Sequence, residues 1–360
     1  MGVAQSPHRA GVRPPRLLAL GNFLSTAGRY RSAIEDIADR LEARGWHVTR
    51  ASHKPARIAR LLDLVKTTWR SRRDVDLALV DVFSGPGFLL AQATCAALRA
   101  CRIPYVLTLR GGGLPAYAGR HPRRVGALLR SARAITVPSP YLGDTMQQFG
   151  APLTLVRNAL ELQRYEFRAR ERLAPRIVWL RAFHALYNPS LAPRILAHLL
   201  HRFPNAQLTM VGPDKGDGSR QDTERVATAL GVRHHVQFVD GLPKSEVPAA
   251  LQAADILLNT TTVDNTPVSL LEGMACGLCV VTTSVGGIPY LFEDGRDARF
   301  FPSGDDEAGA RTIAGLLDDP TLARRISAGG RATAELHDWD VVMPEWDRVL
   351  RSMIAQGPRS

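Results

Sequence analysis

At 360 residues and 45 % apolar content, the chain is long enough for two cores, and its 4 cysteines match neither a disulfide framework nor a zinc site. The net charge of +12 is uneven: residues 1–168 hold 26 Lys+Arg against 11 Asp+Glu, or +15, and the remainder 20 against 23, or −3. Such asymmetry fits an anionic partner for the first half (a lipid surface, a phosphate-bearing substrate or nucleic acid) or a merely Arg-rich soluble surface.

Residues 1–15 are polar, lack the apolar core of a signal peptide and read as a disordered leader. Arg16 to Leu20 reads as a strand, Gly21 to Gly28 as a loop, Ser32 to Arg44 as a helix with Ala33, Ile37 and Leu41 on one face, and His47 to Thr49 as a strand start. This is a Rossmann-like opening without the strict G-x-G-x-x-G dinucleotide signature. Asp74-Val75-Asp76 precedes the strand Leu77 to Val82, at the amino end of a parallel sheet, so it reads as a strand-start loop and not a metal pair. Leu77 to Leu98 is broken by Asp81 and Gly85-Pro86-Gly87 and fails as a membrane span. The strand Pro104 to Leu109 leads into Arg110-Gly111-Gly112-Gly113, where glycines let the backbone approach a ligand closely. Residues 16–168 are expected to form the first domain.

Glu166 to Ala174 is charged, ends at Pro175 and reads as a linker to a second Rossmann-like domain, 175–335. Its strands are expected at Arg176 to Leu180, followed by Arg181; at Ala206 to Val211, followed by Gly212; and at Val236 to Val239, followed by Asp240-Gly241-Leu242. Asp255 to Asn259 is a further strand, and Thr260 to Asn265 a polar loop. A helix then starts with Thr266 as N-cap and Pro267 at its first position, closes at Gly277, and leads to a strand over Leu278 to Thr282. Unpaired N–H groups at that helix start favour a phosphate, while Asp264 in the loop and Glu272 in the second turn put two carboxylates beside one pocket. Cys276 and Cys279 straddle the helix end and read as reduced, buried thiols. Trp339, Val342, Trp346, Leu350 and Met353 mark an amphipathic last helix over 336–356, packed on its own domain or crossing back to the first.

Asp264-x7-Glu272, Gly273-Met274-Ala275-Cys276-Gly277 and Gly286-Gly287 together resemble the donor-binding motif of the retaining GT-B glycosyltransferases of family 4. Its usual form is an acid, seven residues and Glu, then Ala-Met-Ala-x-Gly and Gly-Gly. The resemblance implies an α/β GT-B fold, two Rossmann-like domains facing a cleft, with the last helix crossing back. It also implies transfer of a sugar from a nucleotide-sugar donor, UDP- or GDP-linked, to a saccharide or lipid-linked acceptor in glycan or polysaccharide biosynthesis. The expectation is then of no cofactor or metal, of a cytoplasmic protein whose basic half can sit on the inner face of the cell membrane, and of no nucleic-acid partner. By the same resemblance Asp264 holds donor-sugar hydroxyls with Asn265 sharing the contact, or else only caps its loop. Glu272 holds the ribose hydroxyls, Arg181 the diphosphate with help from Thr266, Pro267 and Val268, and the strand ends at Gly212, Gly241 and Leu242 line the nucleotide pocket. Two positions depart from the pattern. Arg110 stands where many members have His and, unable to accept a proton, keeps only an electrostatic role; Tyr187 stands where a second phosphate-binding Lys is usual. The rival readings are a GT-B nucleotide-sugar epimerase and a non-catalytic, basic membrane- or nucleic-acid-binding protein.

Overall fold

The computed structural model describes residues 13–25 and 31–356, and its backbone forms two six-stranded sheets in which all strand pairs are parallel. The first contains β1 (Arg16–Leu20), β2 (His47–Ala51), β3 (Leu77–Val82), β4 (Tyr105–Leu109), β5 (Ala134–Val137) and β6 (Leu153–Leu155), in the order β2-β1-β3-β4-β5-β6. Its helices are α1 (Ala33–Ala43), α2 (Arg57–Ser71), α3 (Pro86–Ala100), α4 (Leu114–Arg120), α5 (Pro122–Ser131) and α6 (Pro140–Gln147). The second sheet contains β7 (Arg176–Leu180), β8 (Gln207–Val211), β9 (Val236–Val239), β10 (Ile256–Asn259), β11 (Cys279–Thr283) and β12 (Arg299–Phe301), in the order β12-β11-β10-β7-β8-β9. Around it lie α7 (Leu191–Leu200), α8 (Ser219–Ala229), α9 (Val247–Gln252), α10 (Val268–Ala275), α11 (Ile288–Leu291), α12 (Asp306–Asp318), α13 (Pro320–Glu335) and α14 (Trp339–Ala355).

The strands are the continuous apolar runs that a sheet covered on both faces requires: all six residues of β3 and all five of β11 are buried. Among the described residues α14 does not pack on its own domain. Trp339, Val342, Met343, Trp346 and Leu350 join Leu17, Ile37, Leu41 and Leu79 in one apolar cluster of the first domain, and Trp46 Nε1 donates to Asp347 at 2.6 Å. The cysteines are free, and burial pushes the thiols of Cys95, Cys276 and Cys279 up to about 12.

Three expectations need correction. Residues 1–12 of the expected leader and 26–28 of the first loop lie outside the described residues, but 13–15 are ordered by the sheet: Pro15 O accepts from His47 N at 2.9 Å and Arg13 pairs with Asp76. The expected linker is not a free tether, because Arg170 is 2 % exposed and, with Arg168 and Arg176, surrounds the buried Asp255 at 2.8–3.1 Å. The helix after β10 starts one residue late. Pro267 has φ −74° and ψ 99°, which suits proline's fixed φ but lies outside the helical range in ψ, so Pro267, not Thr266, is the N-cap.

Candidate functional site

Open parallel sheets leave a crevice at the carboxyl ends of their strands where strand order reverses. In the first sheet that point lies between β1 and β3. Gly21 follows β1 and Asp81 is the penultimate residue of β3; a Cβ on Gly21 would stand 3.2 Å from Asp81 Oδ2. In the second sheet it lies between β7 and β10, followed by Arg181 and by the loop 260–267. The two crevices open onto one cavity of about 620 Å³, lined by Asp81, Arg110 and Gly111 on one side, Arg181, Lys244, Val268 and Glu272 on the other, and Trp339 and Trp346 of α14.

At the second switch point Arg181 forms an ion pair with Asp264, and its guanidinium lies 4.2 Å from the centre of the Tyr187 ring. Burial draws the Arg181 guanidinium below its ordinary value, opposed by Tyr187 and Glu272. Tyr187 thus stacks under the arginine at the position where the sequence pattern would place a second cation. Asp264 also accepts from the N–H of Asn265 at 2.8 Å, a local bond of the kind expected from a loop cap, although to its immediate neighbour. Asn265 itself is 3 % exposed, and its Oδ1 accepts the hydroxyl of Ser139, the N-cap of α6. Its Oδ1 therefore joins the two domains.

Glu272 lies in the second turn of α10, where Tyr165 Oη donates to it at 2.9 Å. Burial raises its carboxyl above the ordinary value, while Tyr165, Lys244 and Arg181 pull the other way. Across the cavity Arg110 Nε donates to Asp81 Oδ1 at 3.1 Å and its Nη1 to Asn158 Oδ1 at 3.0 Å. Burial pushes the Asp81 carboxyl up against the pull of that guanidinium. Arg110 Nη2, Arg181 Nε, Thr266 Oγ1 and Ser269 Oγ are buried and have no hydrogen-bond partner. Of these side chains, those of Arg110 and Arg181 line the cavity.

The glycines are explained by space. A Cβ at Gly286 would meet Asp264 O at 2.1 Å, one at Gly287 would meet Asn265 O at 2.1 Å, and Gly286 also has φ +55°. The Gly-Gly pair therefore lies directly under the acidic loop, and Gly287 N–H holds Asp264 O at 2.9 Å. Gly212 has the same kind of role, since its Cβ would fall 1.7 Å from the Arg181 carbonyl. Gly241 and Leu242 do not line the cavity: Gly241 is exposed and Leu242 packs partly into the apolar cluster beside α9. The loop after β9 instead delivers Lys244. The Asp74-Val75-Asp76 pair lies at the amino end of β3, where Asp76 accepts from Arg16 N–H at 2.9 Å, and among the described residues no three or more His, Cys, Asp or Glu side chains are grouped as metal ligands would be.

The family model for glycosyl transferases group 1 matches residues 172–333. The matched stretch carries Arg181, Lys244, Asp264 and Glu272, and the first domain supplies the facing wall. The chain is 32 % identical over 153 residues to a GDP-mannose-dependent alpha-(1-6)-phosphatidylinositol monomannoside mannosyltransferase of Mycolicibacterium smegmatis, a match covering 41 % of this chain and 39 % of that protein. It is 29 % identical over 182 residues, 49 % and 42 % of the two chains, to a D-inositol 3-phosphate glycosyltransferase of the same organism. The matched stretch spans about two fifths of the length of these relatives. In fold the whole chain is GT-B. Sucrose-phosphate synthase from Thermosynechococcus elongatus superposes with a TM-score of 0.77 at 18 % identity, covering 96 % of this chain and 100 % of that one. Anabaena HepE in complex with UDP superposes with 0.74 at 16 %, covering 94 % and 100 %.

Sequence reasoning missed four residues around the cleft. Asp81 reads in sequence as a lone acid that spoils an apolar run, and Tyr165 and Asn158 as parts of an irregular crossover. Lys244 was legible only as a charge in a turn. Their common signal is position at or just past a strand end or crossover, which identifies the edge of a sheet without saying which side chains turn inward.

Proposed function

We propose that the chain transfers a sugar from a UDP- or GDP-sugar to a saccharide or lipid-linked acceptor with retention at the anomeric carbon, as the family 4 resemblance implies. The observation that carries the reading is the meeting of Arg181, Asp264, Glu272 and the start of α10 at the switch point of the second sheet, beside unpartnered buried donors. A nucleoside diphosphate supplies the acceptors that those donors lack. Its phosphates suit the Arg181 guanidinium and the N–H groups opening α10, its ribose hydroxyls the Glu272 carboxylate, and its sugar the Asp264 loop. Lys244 brings the second positive charge that Tyr187 does not, so the departing diphosphate is countered by two cations and a helix terminus without a metal ion. Arg110, fixed on Asp81 and Asn158 at the cavity wall, acts on developing negative charge at the acceptor side through its field. The names of the relatives and of the HepE complex support nucleotide-sugar chemistry and phosphorylated or lipid-borne acceptors for this chain.

A thermal-shift screen over UDP-, GDP- and ADP-sugars, followed by incubation of the stabilising donor with and without saccharide and lipid acceptors, tests the reading. Release of nucleoside diphosphate that depends on acceptor, with a product of unchanged anomeric configuration, is expected. Isomerised donor in the absence of acceptor would transfer the site to the epimerase reading, and no nucleotide binding at millimolar concentration would sink both.

A further inference from the structure

Four of the large apolar side chains left exposed among the described residues sit on a single helix. On α2, Ile58 is 78 % exposed, Leu62 65 %, Val65 38 % and Trp69 58 %, and no other helix carries more than one such residue. At about 100° per residue these four fall within an arc of about 60° on one side of the helix. The inward side is satisfied separately by the buried Leu64 and Thr68. From Arg57 to Arg73 the segment holds six Lys or Arg against the single Asp63. Arg57, Lys66, Arg70 and Arg73 are exposed beside the stripe, and the Arg72 guanidinium lies 4.4 Å from the centre of the Trp69 ring.

We propose that this face of α2 docks the protein on the surface of an anionic lipid bilayer. A narrow apolar stripe carrying Trp, bordered by cations, is the pattern of a helix lying in the plane of the headgroup boundary. Apolar side chains enter the acyl edge, the Trp ring sits where one side is dry and the other wet, and the flanking cations meet anionic headgroups. A second copy is a poor occupant, because a two-fold contact would bring two cationic segments together. The opposite side of α2 faces the first domain, where Arg60 and Leu64 line a small cavity of about 60 Å³ with Asp81 and Phe83, so the stripe points away from the fold. The docking rests on the surface of α2 and not on the proposed function.

The test is co-sedimentation of the full chain with phosphatidylglycerol–phosphatidylcholine vesicles and with pure phosphatidylcholine vesicles, at low and high salt. Wild type is expected on the anionic vesicles only, and less so at high salt because exposed charges are screened over about 10 Å or less. The Leu62→Ser/Trp69→Ser variant should lose about tenfold or more in partition, and Lys66→Ser/Arg70→Ser should lose most of the salt-dependent part. Both should keep the wild-type melting temperature, since all four side chains are exposed. Undiminished vesicle binding by Leu62→Ser/Trp69→Ser, or no binding by wild type, overturns the proposal. So does a wild-type dimer that the same variant dissociates. Thermal shift with UDP- and GDP-sugars in the same samples keeps the two readings apart, because vesicle binding without nucleotide binding, or the converse, removes one and leaves the other.

Discussion

Asp264→Asn separates a donor-sugar contact from a loop cap, because the structure engages the carboxylate twice, with Arg181 and with its neighbour's N–H. Removing one partner of a buried ion pair costs about 3–5 kcal/mol, and an amide that still accepts a hydrogen bond should hold the loss to ~2 kcal/mol. Nucleotide binding should move in the opposite direction. A diphosphate has to take Arg181 from Asp264, so loss of the competing charge should tighten UDP or GDP binding by about three- to tenfold, or ~0.6–1.4 kcal/mol, less than one full charge-assisted hydrogen bond of about 1.5–3 kcal/mol because the amide still competes in part. Turnover should nevertheless collapse, since an interaction made with the reacting sugar is felt in kcat more than in affinity for the sugar-free nucleotide. Urea denaturation, calorimetric titration with the nucleoside diphosphate and initial rates supply the three numbers. If stability, nucleotide affinity and turnover all decline together and modestly, Asp264 is only a cap and the competition argument is wrong.

Glu272→Ala should weaken nucleoside diphosphate binding by about ten- to a hundredfold, as expected for one or two lost hydrogen bonds to a charged group; unchanged affinity by titration would remove Glu272 from the ribose. Lys244→Ala should weaken the same ligand by about three- to tenfold, with the difference shrinking as salt rises because Lys244 is exposed, and an equal effect at all ionic strengths would speak for a packing role. Asp255→Asn should cost about 3 kcal/mol in urea unfolding, as it strands the buried Arg170 without its carboxylate; a loss below about 1 kcal/mol would mean that the three arginines re-pair. Burial lowers the His337 pKa below 6.5, and its Nδ1 lies 2.7 Å from Asn158 O. The unfolded chain therefore binds this proton first, and the contribution of His337 is fully present above about pH 6.5 and lost as pH falls toward the folded value. His337→Gln should flatten that part of the stability profile between about pH 7 and pH 5.

Strand positions were legible because strands buried on both faces are written as short apolar runs between breakers, and β1, β3, β7 and β9 fall where the runs lie. The last helix was legible in period, but its address was not, since the pattern of Trp339, Val342, Trp346 and Leu350 says that a face is buried without saying against what. The stripe on α2 illustrates the same limit. Ile58, Leu61, Leu62, Leu64, Val65 and Trp69 cover more of the helix than one core contact needs, and only the packed sheet decides that Leu64 turns inward while Leu62 and Trp69 stay out. Charge partners were harder still. Arg181 and Asp264 are 83 positions apart in the sequence, and only the strand order that sets β7 beside β10 makes them neighbours.

The motif that identifies this fold is in large part a packing specification, and that explains which of its letters persist here. Gly277, Gly286 and Gly287 each sit where a Cβ would come within 2.4 Å of another residue's backbone carbonyl oxygen, so a substitution at any of them would move the end of α10 or the loop that carries Asp264. Cations obey a looser rule. A positive charge acts across several ångströms and from any direction, so its source can change from one loop to another provided that it reaches the same cavity. In this chain the position expected to hold Lys is filled by Tyr187, which supports Arg181 from below, while Lys244 enters from the loop after β9. If that exchange is the right account, Tyr187→Lys should partly restore nucleotide affinity to Lys244→Ala, whereas in the wild-type background it should add little.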